Sequence, residues 1–131
     1  MKAANNLGLT LTYQHHFAEA GELYRAALAE AEEDGLGAVQ AEVERNLGGL
    51  AMFQGRYDQA LSWLERCRRH YEALDIPHEL ALAEYQLAEV YLELNLAPEA
   101  AAILSRVVPA FAALDMPEEH AWGLIHWGRA S

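Results

Sequence analysis

Cys67 is the only thiol in the chain, and so its only candidate sulfur nucleophile. A thiol reacts as the thiolate, which needs a cation or dipole beside it; buried in apolar surroundings it is inert. Six histidines could act as acid–base groups or metal ligands. His15 and His16 are adjacent, so on a helix their side chains point about 100° apart and cannot share one metal. His78 and His120 stand near Glu79, Glu118 and Glu119, at best a loose metal-capable surface. Gly35-Leu36-Gly37 lacks the lysine and the preceding strand of a phosphate-binding loop. Glu30, Glu32, Glu33 and Asp34 lie at a helix end where the dipole disfavours them, and they read as a solvated edge. No catalytic, cofactor or metal site is expected, and the chain does not read as an enzyme.

Composition narrows the partners. The net charge is −11 over 131 residues. Such a surface repels phosphate backbones unless a basic patch is set apart. Arg66, Arg68, Arg69 and His70 are the one basic cluster, and on a helix the four do not share a face. Nucleic acid is therefore not an expected partner. No apolar run approaches the ~20 residues of a membrane span, and the N-terminus lacks a signal-peptide core. With a single cysteine and no internal disulfide possible, a reducing, cytoplasmic setting is expected.

The elements that carry these residues are helices in repeats. Leu7-Gly8 recurs at a spacing of 40 as Leu47-Gly48, Leu87-Ala88 and Trp127-Gly128. Ala20, Ala60 and Ala100 keep the same register, as do Tyr24, Leu64 and Leu104. Leu74-Asp75-Ile76-Pro77 matches Leu114-Asp115-Met116-Pro117. Each unit reads as two helices, in the middle unit roughly Val39 to Gln54 and Tyr57 to Leu74. Gly55 supplies the left-handed residue between them, and Asn95 and His15 take its place elsewhere. Pro77, Pro98 and Pro117 suit first helical turns. The small residues Gly8, Gly48, Ala88, Ala20, Ala60 and Ala100 mark close helix approaches. Pro109 falls inside a helix and predicts a kink near Ser105.

Leu-Gly on the first helix, Gly in the turn, Phe17 or Tyr57 two residues later and then Ala resemble the tetratricopeptide repeat. The spacing of 40 exceeds the usual 34 or so and is similar to the long-repeat variants of that family. Those variants occur in bacterial proteins beside signalling ATPases or CHAT domains, and Leu87 to Leu96 resembles arrays of the CHAT kind. The resemblance implies an all-α, right-handed α-solenoid of antiparallel helix pairs, with about seven helices. It would form one repeat domain, with units 1–36, 37–76 and 77–116 and an extra helix over 117–131.

The resemblance also implies a scaffold that binds a protein or peptide on the concave face formed by first helices. In register, that face takes Asn5, Leu9 and Thr12, then Arg45, Asn46, Gly49 and Phe53. It continues with Tyr85, Gln86, Glu89 and Glu93, and ends with Ile125, His126 and Arg129. One subgroup of the family grips terminal carboxylates with lysine, asparagine and arginine. Here Asn46 matches, but Asn5, Leu82 and Gln86 stand where the cations would be, so a bare carboxylate is not the expected ligand. Trp122, Ile125 and Trp127 lack a following helix, which makes self-association through the C-terminal helix a second expectation.

Overall fold

The computed structural model describes Gly8 and residues 16–130. Six helices run in order: α1 Phe17–Glu33, α2 Gly37–Phe53, α3 Tyr57–Leu74, α4 Pro77–Glu93, α5 Ala97–Ala113 and α6 Pro117–Ala130. No strand occurs among the described residues. Gly8 is helical, and the rest of the expected first helix, with His15, lies outside the described residues. The first five helices have 17 or 18 residues, about 25 Å each.

One turn, used repeatedly, sets this uniformity. A left-handed residue follows each of the first five helices at Gly35, Gly55, Asp75, Asn95 and Asp115, with φ from 55° to 72°. Successive positions are separated by half the repeat seen in the sequence. Around Gly35, Gly35 N–H donates to the Glu32 carbonyl and Leu36 N–H to the Ala31 carbonyl. The same pair of bonds recurs at Gly55, Asn95 and Asp115. This is the Schellman arrangement, which satisfies carbonyls a helix end would otherwise leave bare. Asp and Asn tolerate the left-handed conformation better than other side-chain-bearing residues. Pro77 and Pro98 lie in first helical turns, as expected. Helix α5 continues through Pro109 to Ala113.

The chain divides into two compact units, Met1–Leu74 and Asp75–Ser131. In the first, α2 packs against α1 and α3. Its core joins Tyr24, Ala27, Leu28, Val43, Leu47 and Leu50, with Trp63 half-buried against them. Gly48 sets the α2–α3 spacing: a Cβ there would lie 2.8 Å from Leu64 Cγ. Gly8 meets Tyr24 in the same way, at 2.6 Å from Cε1.

In the second unit α5 packs against both α4 and α6. Its core gathers Tyr85, Ala88, Leu104, Val107, Val108 and Phe111. Ala88 and Ala100 are fully buried, in keeping with the small-residue register. An unexpected close approach occurs at Gly123, where a Cβ would lie 2.8 Å from Val108 Cγ2.

Candidate functional site

The expected contact residues fall on first helices in both units, and each unit presents its own set. Asn5, Leu9 and Thr12 lie outside the described residues. In the first unit, α2 carries Arg45, Asn46, Gly49 and Phe53. Phe53 is 52% exposed. Asn46 and Gly49 are half-buried. Arg45 is half-buried too, and its Nε makes no hydrogen bond. Its guanidinium approaches the Tyr71 hydroxyl without settling into good hydrogen-bond alignment. Burial raises the Tyr71 hydroxyl to about 12, with Arg45 opposing the shift.

In the second unit, α4 and α6 bring Tyr85, Glu89 and His126 onto one polar seam, with Gln86 next to Tyr85 along α4. Tyr85 is not the exposed groove residue the register suggested. It is buried, edge-on to Phe111 at 5.7 Å between ring centroids, and its hydroxyl is hydrogen-bonded to His126 Nδ1. A tyrosine at the edge of a core keeps its ring in apolar contact and offers only its polar tip. Gln86 lies beside it, and its Oε1 is buried without a hydrogen-bond partner. Such an acceptor costs about 1–3 kcal/mol until a donor reaches it.

Burial, and then the neighbouring Glu93, raises Glu89 to about 7. His126 is pushed below the ordinary histidine range by burial and by Arg129. Both shifts favour the neutral forms, because burial penalises charge on either group. Arg129 itself is exposed.

The residues expected to associate divide. Trp122 is 49% exposed and Ile125 63%, and Leu124 between them is exposed as well. Trp127, by contrast, is half-buried against the Tyr85–Phe111 core. Its place one turn beyond Gly123 turns it inward, toward α5, instead of outward with Trp122.

Sequence reasoning missed a buried carboxylate. Glu44 on α2 is fully buried. His70 Nδ1–H donates to its Oε1 at 2.6 Å, and Arg66 Nη2 lies 3.2 Å from Oε2 as an ion pair without hydrogen-bond alignment. Arg66 also covers the Trp63 ring at 5.0 Å from its centroid. Arg68 pairs with Glu65 and Glu72. So the basic cluster is spent on internal partners, with only Arg69 simply exposed. The signal was there: one full repeat further on, Glu84 and Arg106 take the places of Glu44 and Arg66, 3.8 Å apart.

Cys67 is fully buried, donates to the Leu64 carbonyl at 3.2 Å, and is raised to about 12 by burial. A thiol so protonated is a packing group, not a nucleophile. Among the described residues, no His, Cys, Asp and Glu side chains group to hold a metal ion. Nor is any described helix long and apolar enough to cross a membrane.

A family model described as tetratricopeptide repeat matches residues 39–113, more than half of the chain. The chain belongs to the tetratricopeptide repeat family. Among solved structures it is similar to the nearly identical TPR-like repeats of a protein from Podosopora anserina assigned as a kinesin light chain. There the TM-score is 0.85 at 16% identity, over 98% of this chain and 64% of that one. A point variant of the same protein gives a TM-score of 0.76 at 18% identity, over 97% and 66%. The tetratricopeptide chain thus spans just under two thirds of those structures' length. Identities this low speak for the fold alone, which is all-α and of the tetratricopeptide solenoid class. No curated protein matches the sequence.

Proposed function

We propose that this tetratricopeptide chain is a non-catalytic scaffold that binds a polypeptide through the exposed faces of its first helices. The observation that carries the reading is the set of half-buried polar side chains on the second unit's first helices, Gln86 and Glu89 on α4 and His126 on α6. A peptide backbone, rich in N–H donors and carbonyl acceptors, suits such a mixed polar surface. Asn46, Arg45 and the half-exposed Phe53 ring offer a comparable mix on α2, and Leu9, Asn5 and Arg129 complete the proposed set.

The test is a displayed peptide library selected on the wild-type chain. Peptides held by the first unit should bind Phe53→Ala about tenfold more weakly, and those held by the second Gln86→Ala, the size typical of a contact near an interface centre. Enrichment of peptides indifferent to both substitutions would remove the proposed site.

A second reading rests on the open Trp122, Leu124 and Ile125 cluster, which suits self-association through α6. Molar mass by light scattering over a hundred-fold concentration range separates the two. A constant 14.6 kDa would end this second reading. The long repeat spacing further supports a place among the long-repeat arrays of bacterial signalling proteins. In such an array, within one repeat domain and a cytoplasmic setting, the chain would sense ligands for an attached catalytic domain.

A further inference from the structure

Helix α6 repeats the register of the first helices, yet one of its positions stands open. Gly8 and Gly48 each meet a large side chain of a second helix, with Tyr24 and Leu64 at 2.6 and 2.8 Å from an added Cβ. Gly128 holds the same place in the register, and a Cβ there would meet nothing within 4 Å. The face around it is exposed and apolar, made by Ala121, Trp122, Leu124 and Ile125. At about 100° per residue, Ala121, Ile125 and Gly128 form the middle of that face. Gly123 and Trp127 lie on the opposite side, against the core.

We propose that this face is a contact between two copies of the chain, in which α6 of one lies antiparallel across α6 of the other. The proposal rests on the self-association reading given above and names its geometry. Two observations choose the occupant. The first is an internal template for what fills such a glycine. Leu64, which meets Gly48, has Ala60 four residues before it and Cys67 three after, and Tyr24 likewise has Ala20 and Ala27. Those sets are buried in α3 and α1, so a second copy cannot offer them without unfolding. Helix α6 carries the same small–large–small spacing exposed, as Ala121, Ile125 and Gly128. Ile125 of each copy then enters the gap at Gly128 of the other, a self-complementary contact about a two-fold axis.

The second observation is charge. Glu118 and Arg129 are both exposed, at opposite ends of α6, and helical spacing puts them on one edge of the apolar face. Antiparallel copies bring each Arg129 toward the other's Glu118, whereas parallel copies would set like charges together. Charges flanking a helix seam fix its direction in this way.

The test is light scattering of the full chain from about 10 μM to 1 mM, with half-association near 0.1 mM, as suits so small an interface. The mass should rise toward twice 14.6 kDa. Gly128→Leu adds apolar surface in open space, so the single chain accepts it, yet it closes the gap and should weaken the dimer about tenfold. Arg129→Glu should also weaken it about tenfold, and adding Glu118→Arg should restore most of the loss. A mass constant at 14.6 kDa would overturn the proposal together with the self-association reading, and leave the face to a helix of another protein. A dimer that Gly128→Leu leaves unchanged or tightens would overturn the antiparallel contact alone, with self-association standing. So would a dimer that Glu118→Arg fails to rescue. If Gly128→Leu does not fold, the charge reversal at these exposed positions decides.

Discussion

Two helix pairs built on one register, α2 with α3 and α4 with α5, solve the same packing problem differently. In the first, a fully buried Glu44 is held between His70 and Arg66, and the seam is closed by charge. In the second, Glu84 is partly exposed, Arg106 stands 3.8 Å off, and Ala110 leaves a cleft. The backbone repeat is set by turns and small residues, which both pairs share. The seam between the helices is set by single side chains, which are free to diverge. A repeat protein can thus keep its fold while altering what each seam offers to a partner.

The sharpest way to break this comparison is to remove the carboxylates in turn. Glu44→Ala leaves a cavity and strips His70 and Arg66 of their shared partner. Both are half-exposed and can turn to water, so the expected loss is about 1–3 kcal/mol. Glu84→Ala should cost less, about 1 kcal/mol, because its Arg106 partner stands 3.8 Å off and is itself largely exposed. Urea unfolding of both variants checks the pair of values. Equal losses would mean that the two seams are energetically alike and the contrast is only geometric.

A second contrast is in titration. Glu89 titrates in the folded chain at about 7, against 4.5 when unperturbed. The folded state therefore holds this proton more tightly than the unfolded state does. Its contribution is favourable below about pH 4.5 and is lost as pH rises toward 7. His126 runs the other way: its lowered pKa costs stability as pH falls through 6.5. Glu89→Gln should leave stability near pH 4 little changed and raise it near pH 8, by of order 1–3 kcal/mol. Melting temperature against pH reads this directly. A variant curve parallel to wild type would mean that Glu89 is ordinary in solution.

Much of the architecture was legible because helices announce themselves by spacing and by the residues that stop them. Leu47-Gly48 and Leu87-Ala88 located the close approaches, and Gly55 and Asn95 located two turns. The half-repeat was hidden because Gly, Asp and Asn share one conformational role under three names. Pro77 and Pro117 drew attention away from Asp75 and Asp115, which make the turn itself. Site residues were less legible. Register places a residue on a helix but not the rotation of that helix against its neighbours. So Tyr85 and Trp127 were read as open surface, though their rings complete the core around Phe111. Glu44 was passed over because an acid in a helix normally faces water. Only its recurrence with Arg66 in the next repeat could have marked it.

The smallest expected effect tests the feature the two pairs share. Asn95 and Asp115 occupy the left-handed position that Gly35 and Gly55 fill elsewhere. A Cβ in that conformation brings crowding that glycine avoids, and Asn and Asp offset part of it with their short polar side chains. Glycine also loses more chain entropy on folding, which opposes the gain. The balance should leave Asn95→Gly and Asp115→Gly more stable than wild type by about 0.5–1 kcal/mol. The reverse change, Gly55→Asn, should cost a similar amount. Thermal unfolding resolves differences of this size. If Gly55→Asn proved neutral while Asn95→Gly stabilised, the turns would not be equivalent, and the strict half-repeat would describe the backbone without governing its energy.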